Sequence, residues 1–125
     1  MYLYYIKRTD CRIHSSFGTN IDTGAVFKSP PILPHIPNGI LIGGDVIIGN
    51  NVVIFQQVTV MDGMGKRTTN IGDNVILGAG CKVLPGVHIG NNAKVGANCV
   101  VVDDIPDNST CVLQKPRIIS KTTES

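Results

Sequence analysis

Tryptophan is absent from this chain of 125 residues and aromatic side chains make up only 5% of it, so large rings do not organise its core. The charge imbalance is slight too. Eleven basic against nine acidic residues give a formal +2, which supplies no electrostatic reason to expect a nucleic-acid partner. Long apolar runs are missing. The two longest uncharged stretches, Ser29 to Gly44 and Val46 to Met61, fall short of the roughly 20 apolar residues that a membrane-spanning helix needs, and the first holds four prolines. The start, Met1-Tyr-Leu-Tyr-Tyr-Ile-Lys-Arg, lacks the layout of a signal peptide, and a cytoplasmic location is the expectation. The four cysteines, Cys11, Cys81, Cys99 and Cys111, form no C-x-x-C pair and have no histidine at zinc-finger spacing. They read as reduced packing residues, and no metal site is expected.

What is abundant is glycine, 14 residues, together with 30 Val and Ile. Both are poor helix formers, and the β-branched pair favours strands. Their placement is periodic. Aliphatic residues recur every six positions at Ile42, Ile48, Ile54 and Val60, and again at Ile71, Leu77, Val83, Ile89, Val95 and Val101, with five residues inserted between the two series. A second apolar position lies four after the first: Val46, Val52, Val58, Val75, Cys81, Val87, Ala93, Cys99 and Ile105. The fifth residue of one repeat and the first of the next are two apart, so on a strand both face inward. Between them stand Gly-Asn-Asn, Gly-Asp-Asn or Gly-Ala-Gly, types that accept the positive φ of a tight corner. Three short strands and three corners close a triangular coil every 18 residues, and stacked coils bury one aliphatic column. The expectation is an all-β parallel β-helix in a single domain spanning residues 1–125. Its parts are a lead-in over 1–16, coils over 17–112 with an inserted loop at 61–70, and a closing strand and tail over 113–125. Ile47, Val53, Ile76 and Val100 are aliphatic but point outward, and such a stripe predicts self-association.

The stretches Pro34-His-Ile-Pro-Asn-Gly-Ile-Leu-Ile-Gly, Val52-Val-Ile-Phe-Gln-Gln-Val-Thr-Val, Asn70-Ile-Gly-Asp-Asn-Val-Ile-Leu-Gly-Ala-Gly and Ala93-Lys-Val-Gly-Ala-Asn-Cys-Val-Val resemble the hexapeptide-repeat acyltransferases, and within them the serine acetyltransferase-like branch. The resemblance implies a left-handed helix, a homotrimer with sites between subunits, and acetyl-CoA as acyl donor. It points to His35 as general base, held between Pro34 and Pro37 in an expanded corner, where a neutral imidazole can take the proton of an attacking hydroxyl. Asn20 matches the position that orients this histidine, with Asp22 as the other choice. Gln56 and Thr68 match acceptor-side positions. For the donor, the resemblance implies Ala79 and Ala97 along the pantetheine arm, Lys94, Lys115 and Arg117 near the phosphates, and Gly63 and Gly65 where a close backbone approach is needed. Relatives of this branch carry a histidine where this chain has Thr68, and a helical N-terminal domain that this sequence lacks. Both differences direct the expectation to a sugar hydroxyl of a surface or capsular polysaccharide as acceptor, with serine as the alternative and a non-catalytic assembly subunit as a further one. His14 and His88 match no catalytic position, and His88 reads as an outward surface residue.

Overall fold

The computed structural model describes residues 19–65 and 67–121. The expected lead-in, with Cys11 and His14, lies outside the described residues, as do Lys66 and the last four positions. Thirteen strands of two residues each follow one another: β1 (Asn20–Ile21), β2 (Val26–Phe27), β3 (Leu41–Ile42), β4 (Ile47–Ile48), β5 (Val53–Ile54), β6 (Thr59–Val60), β7 (Asn70–Ile71), β8 (Ile76–Leu77), β9 (Lys82–Val83), β10 (His88–Ile89), β11 (Lys94–Val95), β12 (Val100–Val101) and β13 (Thr110–Cys111). In nearly every one the second residue is buried and the first looks outward. This is the alternation that the six-residue period dictates.

Every strand pairs in parallel with the equivalent strand one coil away, giving three sheets ordered β1-β3-β6-β9-β12, β10-β7-β4-β2 and β13-β11-β8-β5, here the first, second and third sheet. Regular coils keep the 18-residue step, as in Val60 from Ile42 or Val101 from Val83. Ile48 pairs with Ile71, 23 residues on, which is 18 plus the five inserted. Ile21 pairs with Ile42 at 21, the extra three residues being absorbed by the corner that holds His35. The last coil is short: Val95 pairs with Cys111 at 16, and Ile89 with Ile105 at 16. Ile105 therefore occupies a first position of its repeat and not the fifth position that periodicity assigned it. The closing strand is also earlier than expected. It is β13, and residues 112–121 form no strand, with Ile118 91% exposed.

The column holds the inward set read from the period, with Val46, Val52, Val58, Val75, Cys81, Val83 and Ala93 fully buried. Cys81 and Cys99 stack on adjacent coils, since β9 and β12 are paired in register. Burial pushes the Cys81 thiol up to about 12, so it is a space-filling hydrophobe and no nucleophile at neutral pH. Outside, Ile32, Val53 and Ile76 lie side by side on the third sheet. No described helix is long and apolar enough to cross a membrane.

The corners repeat as closely as the strands. Between the second and third sheets the amide of Asn50 donates to Asp73 Oδ1, that of Asp73 to Asn91 Oδ1 and that of Asn91 to Asp107 Oδ1, each at 2.8 Å. The residue after each takes a left-handed conformation: Asn51, Asn74, Asn92 and Asn108 have φ of 56°, 57°, 60° and 59°. Asparagine tolerates that region and β-branched residues do not. Asn74→Gly should keep stability within about 0.5 kcal/mol and Asn74→Val should cost about 1–2 kcal/mol in urea unfolding. Equal losses would show that the exposed Asn51 Nδ2 to Asn74 Oδ1 contact, 3.5 Å, holds the corner instead of the backbone angle.

Candidate functional site

Two corners are expanded beyond the minimum, and they flank the first sheet on opposite sides. Leu33 to Gly39 bulges at the edge between the third and first sheets; Met61 to Thr69 bulges between the first and second. At the third–first edge His35 is exposed, on a segment stiffened by Pro34 and Pro37, and its ring tilts at 51° against Phe55 with centroids 5.9 Å apart. The bulge closes on Gly39, whose φ of 65° favours glycine and whose notional Cβ would lie 2.7 Å from the Gln57 side-chain amide.

This edge is a backbone ladder. Gln57 N donates to Asn38 O at 2.8 Å, Gly80 N to Gln56 O at 3.0 Å and Asn98 N to Ala79 O at 2.8 Å. The fold thereby brings His35, Gln56, Ala79 and Ala97 onto one ridge although 62 residues separate the first from the last. Gln56 is half-buried, and among the described residues no donor reaches its enclosed Oε1. The Ala79 carbonyl is spent on the next coil, and Ala97 is exposed. Lys94 stands outward on the third sheet next to Ile76 and Thr110. Lys115 and Arg117 are exposed on the unpaired stretch that follows β13. Lys82, which the sequence did not single out, reaches the same edge and donates to Gly80 O at 3.0 Å.

Asn20 opens β1 beside this edge, its amide donating to Ile40 O at 2.8 Å. Asp22 leaves β1 on the far side, where its Oδ1 takes the Gly24 amide at 2.8 Å. Among the described residues neither side chain is hydrogen-bonded to His35. Asn20 instead lines a groove of about 430 Å³ on the outer face of the first sheet, with Leu41, Thr59, Asp62 and Met64.

The inserted loop is the other half of the candidate set, and a single chain does not bring it to His35. Gly63 is buried: its amide donates to Asp45 Oδ1 at 2.9 Å, and a Cβ there would collide with the Arg67 carbonyl. Gly65, with φ of 77°, faces open space. Thr68 is half-buried, and its carbonyl lies 3.0 Å from Nε2 of His88. His88 points outward as expected, but it is half-buried and bonded to the loop. It also meets Arg67 Nε at 3.0 Å, and Arg67 pairs through Nη2 with Asp104 Oδ2 at 2.9 Å. The signal available in the sequence was register: His88 is 18 residues after Asn70 and so abuts the end of the loop.

The hydrogen bond from the His88 amide, then the Arg67 guanidinium, hold the Asp104 carboxyl below the usual carboxylate range. A depressed folded value means stability that is present above the unfolded pKa of ~4 and lost as pH falls through the lower folded one. The melting temperatures of the wild type and Asp104→Asn should differ at pH 6 and converge as the pH falls below the unfolded value and through the lower folded one. A gap of constant size down to pH 2 would contradict this reading.

Two family models match the chain: "Bacterial transferase hexapeptide (six repeats)" over residues 68–103 and "Hexapeptide repeat of succinyl-transferase" over 35–56. The chain is 44% identical over 112 residues to serine acetyltransferase 1, chloroplastic, of Arabidopsis thaliana, covering 86% of this chain and 35% of that protein. It is 41% identical to the serine acetyltransferase of Staphylococcus aureus (strain Mu50 / ATCC 700699), covering 87% and 53%. Among solved structures it superposes on Entamoeba histolytica serine acetyltransferase isoform 3 in complex with cysteine with a TM-score of 0.75 at 31% identity, covering 94% and 41%. The Neisseria gonorrhoeae serine acetyltransferase in complex with serine gives 0.70 at 36%, covering 81% and 42%. The chain thus spans about half the length, or less, of the curated relatives it matches. These likenesses overturn the expectation of a sugar acceptor, because the relatives named are serine acetyltransferases. The repeats and the triangular coils make the chain a left-handed β-helix of hexapeptide repeats, and the proteins it is similar to are serine acetyltransferases.

Proposed function

We propose that this chain carries the catalytic edge of an acetyl-CoA-dependent serine O-acetyltransferase. The observation that carries the reading is the third–first ridge, where His35, Gln56 and Ala97 share one edge of the helix in a chain whose relatives bear that name. Neutral His35 accepts the proton of the serine hydroxyl as its oxygen attacks the thioester carbonyl. The tetrahedral intermediate collapses with cleavage of the C–S bond, and the imidazolium returns its proton to the departing thiolate of coenzyme A. Phe55 stands against the imidazole at a tilt of 51°. Asn20, which lines the groove of the first sheet in this structure, would have to turn toward His35 for its side-chain carbonyl to orient the ring, and it lacks the charge that a carboxylate would lend to the imidazolium. Gln56, next along the ridge from His35, offers its polar side chain to the acceptor. Ala97, exposed and small, leaves the pantetheine arm a path beside the corner, and Lys94, Lys115 and Arg117 supply positive charge for the phosphates.

We infer a homotrimer. The Ile32, Val53 and Ile76 stripe gives the third sheet an apolar outer face for a neighbour. Since His35 and the inserted loop flank opposite sides of the first sheet, a second copy is the means of setting a loop against His35. In an assay of coenzyme A release, L-serine should be consumed and a panel of sugars should not. His35→Ala should lower turnover by about 10²–10⁴-fold while circular dichroism and thermal stability hold, because the residue lies outside the column. Turnover of a sugar without serine, or full activity of the variant, would defeat the proposal.

A further inference from the structure

The inserted loop returns to the helix through one contested atom. Nε2 of His88 stands 3.0 Å from Nε of Arg67 and 3.0 Å from the carbonyl oxygen of Thr68. Arg67 Nε always carries its hydrogen, so toward it Nε2 must accept; the Thr68 carbonyl has only lone pairs, so toward it Nε2 must donate. One nitrogen cannot do both at once. The guanidinium is tied as well to Asp104 Oδ2 at 2.9 Å, and the other oxygen of Asp104 takes the His88 amide at 2.9 Å. Among the described residues Arg67 and Asp104 are the charged groups bonded to His88. The strand beside it, β7, offers the neutral Asn70, and Ile105 pairs on the other side. The loop end has little slack. A Cβ on Gly86 would lie 3.1 Å from the Arg67 carbonyl oxygen, and the Gly86 amide donates to Thr69 Oγ1 at 2.8 Å.

We propose that His88 is a positioning residue that sets Arg67 and the end of the inserted loop in one of two arrangements. With a lone pair on Nε2, Arg67 is drawn between His88 and Asp104. With a hydrogen on Nε2, the Thr68 carbonyl is gripped and Arg67 Nε is let go. The neutral imidazole can adopt the first arrangement; the imidazolium has a hydrogen on both nitrogens, so it enforces the second, and it sets a like charge beside the guanidinium. Acid therefore releases Arg67 and alkali restores the clasp. The consequence for catalysis rests on the proposed function: the loop forms the acceptor side, so His88 acts on the KM for serine and leaves kcat to His35.

The test reads the clasp without activity first. Arg67 Nε–H is followed by 15N NMR of the full chain between pH 8 and 5, in the wild type, His88→Gln and His88→Ala, with Arg67→Lys giving the assignment. Gln accepts from Arg67 as the neutral imidazole does but takes up no proton. The resonance should move with pH in the wild type, stay fixed in His88→Gln and sit at the released position throughout in His88→Ala. At pH 8, tryptic cleavage after Arg67 should be about fivefold faster in His88→Ala, the loss of one hydrogen bond, and near wild type in His88→Gln. A pH-independent Arg67 resonance in the wild type with unchanged cleavage in His88→Ala would overturn the proposal. In turnover, His88→Ala should raise the KM for serine by a similar factor with kcat held, and a fall in kcat alone would also overturn it. Spectral changes as expected in a protein that does not acetylate serine would support the clasp and refute the functional reading instead.

Discussion

A strand of two residues can bury one side chain and make its hydrogen bonds only if an identical strand lies directly above or below it. This chain consists of such strands, and each depends on parallel pairing with the coil next to it. No element has a core of its own; the column exists only in the stack. The strands cannot lengthen or shift without turning a buried aliphatic outward. The corners must therefore absorb every irregularity, and they do: three extra residues beside His35, five in the inserted loop and two missing after Val101. The candidate chemistry sits at these places because only there does the register leave side chains free to vary.

Register also explains how the edge is assembled. Residues 18, 21 or 23 apart in sequence become neighbours along a ridge, so His35, Gln56, Ala79 and Ala97 align without a contact between distant folding units. The same rule separates His35 from the inserted loop. Both flank the first sheet, and no bend of a rigid triangular column can bring its two edges together. A site that needs both must draw on two copies, and the outward aliphatic residues of the third sheet give such copies an apolar face to share.

The column was legible because its signal is one of spacing. From Ile42 to Val101 each inward position repeats, and the Asn-rich corners announce the left-handed φ that the structure shows. The last coil was misread where the spacing failed. Ile105 matches a period of six in sequence, yet its turn is two residues short, and the hydrogen bond from the His88 amide to Asp104 takes up the difference. Leu113 to Ile119 has the composition of a strand but no coil above it to define one. The acceptor was misjudged for another reason. Thr68 removes an imidazole from the loop, but a loop sequence says nothing of what reaches it from a neighbouring strand, and here His88 of β10 arrives within 3.0 Å. His35, Asn20 and Gln56 were singled out through the resemblance, not the period, because an outward polar residue leaves no periodic trace.

The claim that the third–first ridge is where acetyl-CoA and serine meet is tested most directly by a crystal structure of the full chain with coenzyme A and L-serine. The account predicts the pantetheine arm running beside Ala79 and Ala97, with the serine hydroxyl within hydrogen-bond reach of the His35 imidazole. Coenzyme A bound on another face, with His35 turned to solvent and no serine near it, would contradict the account.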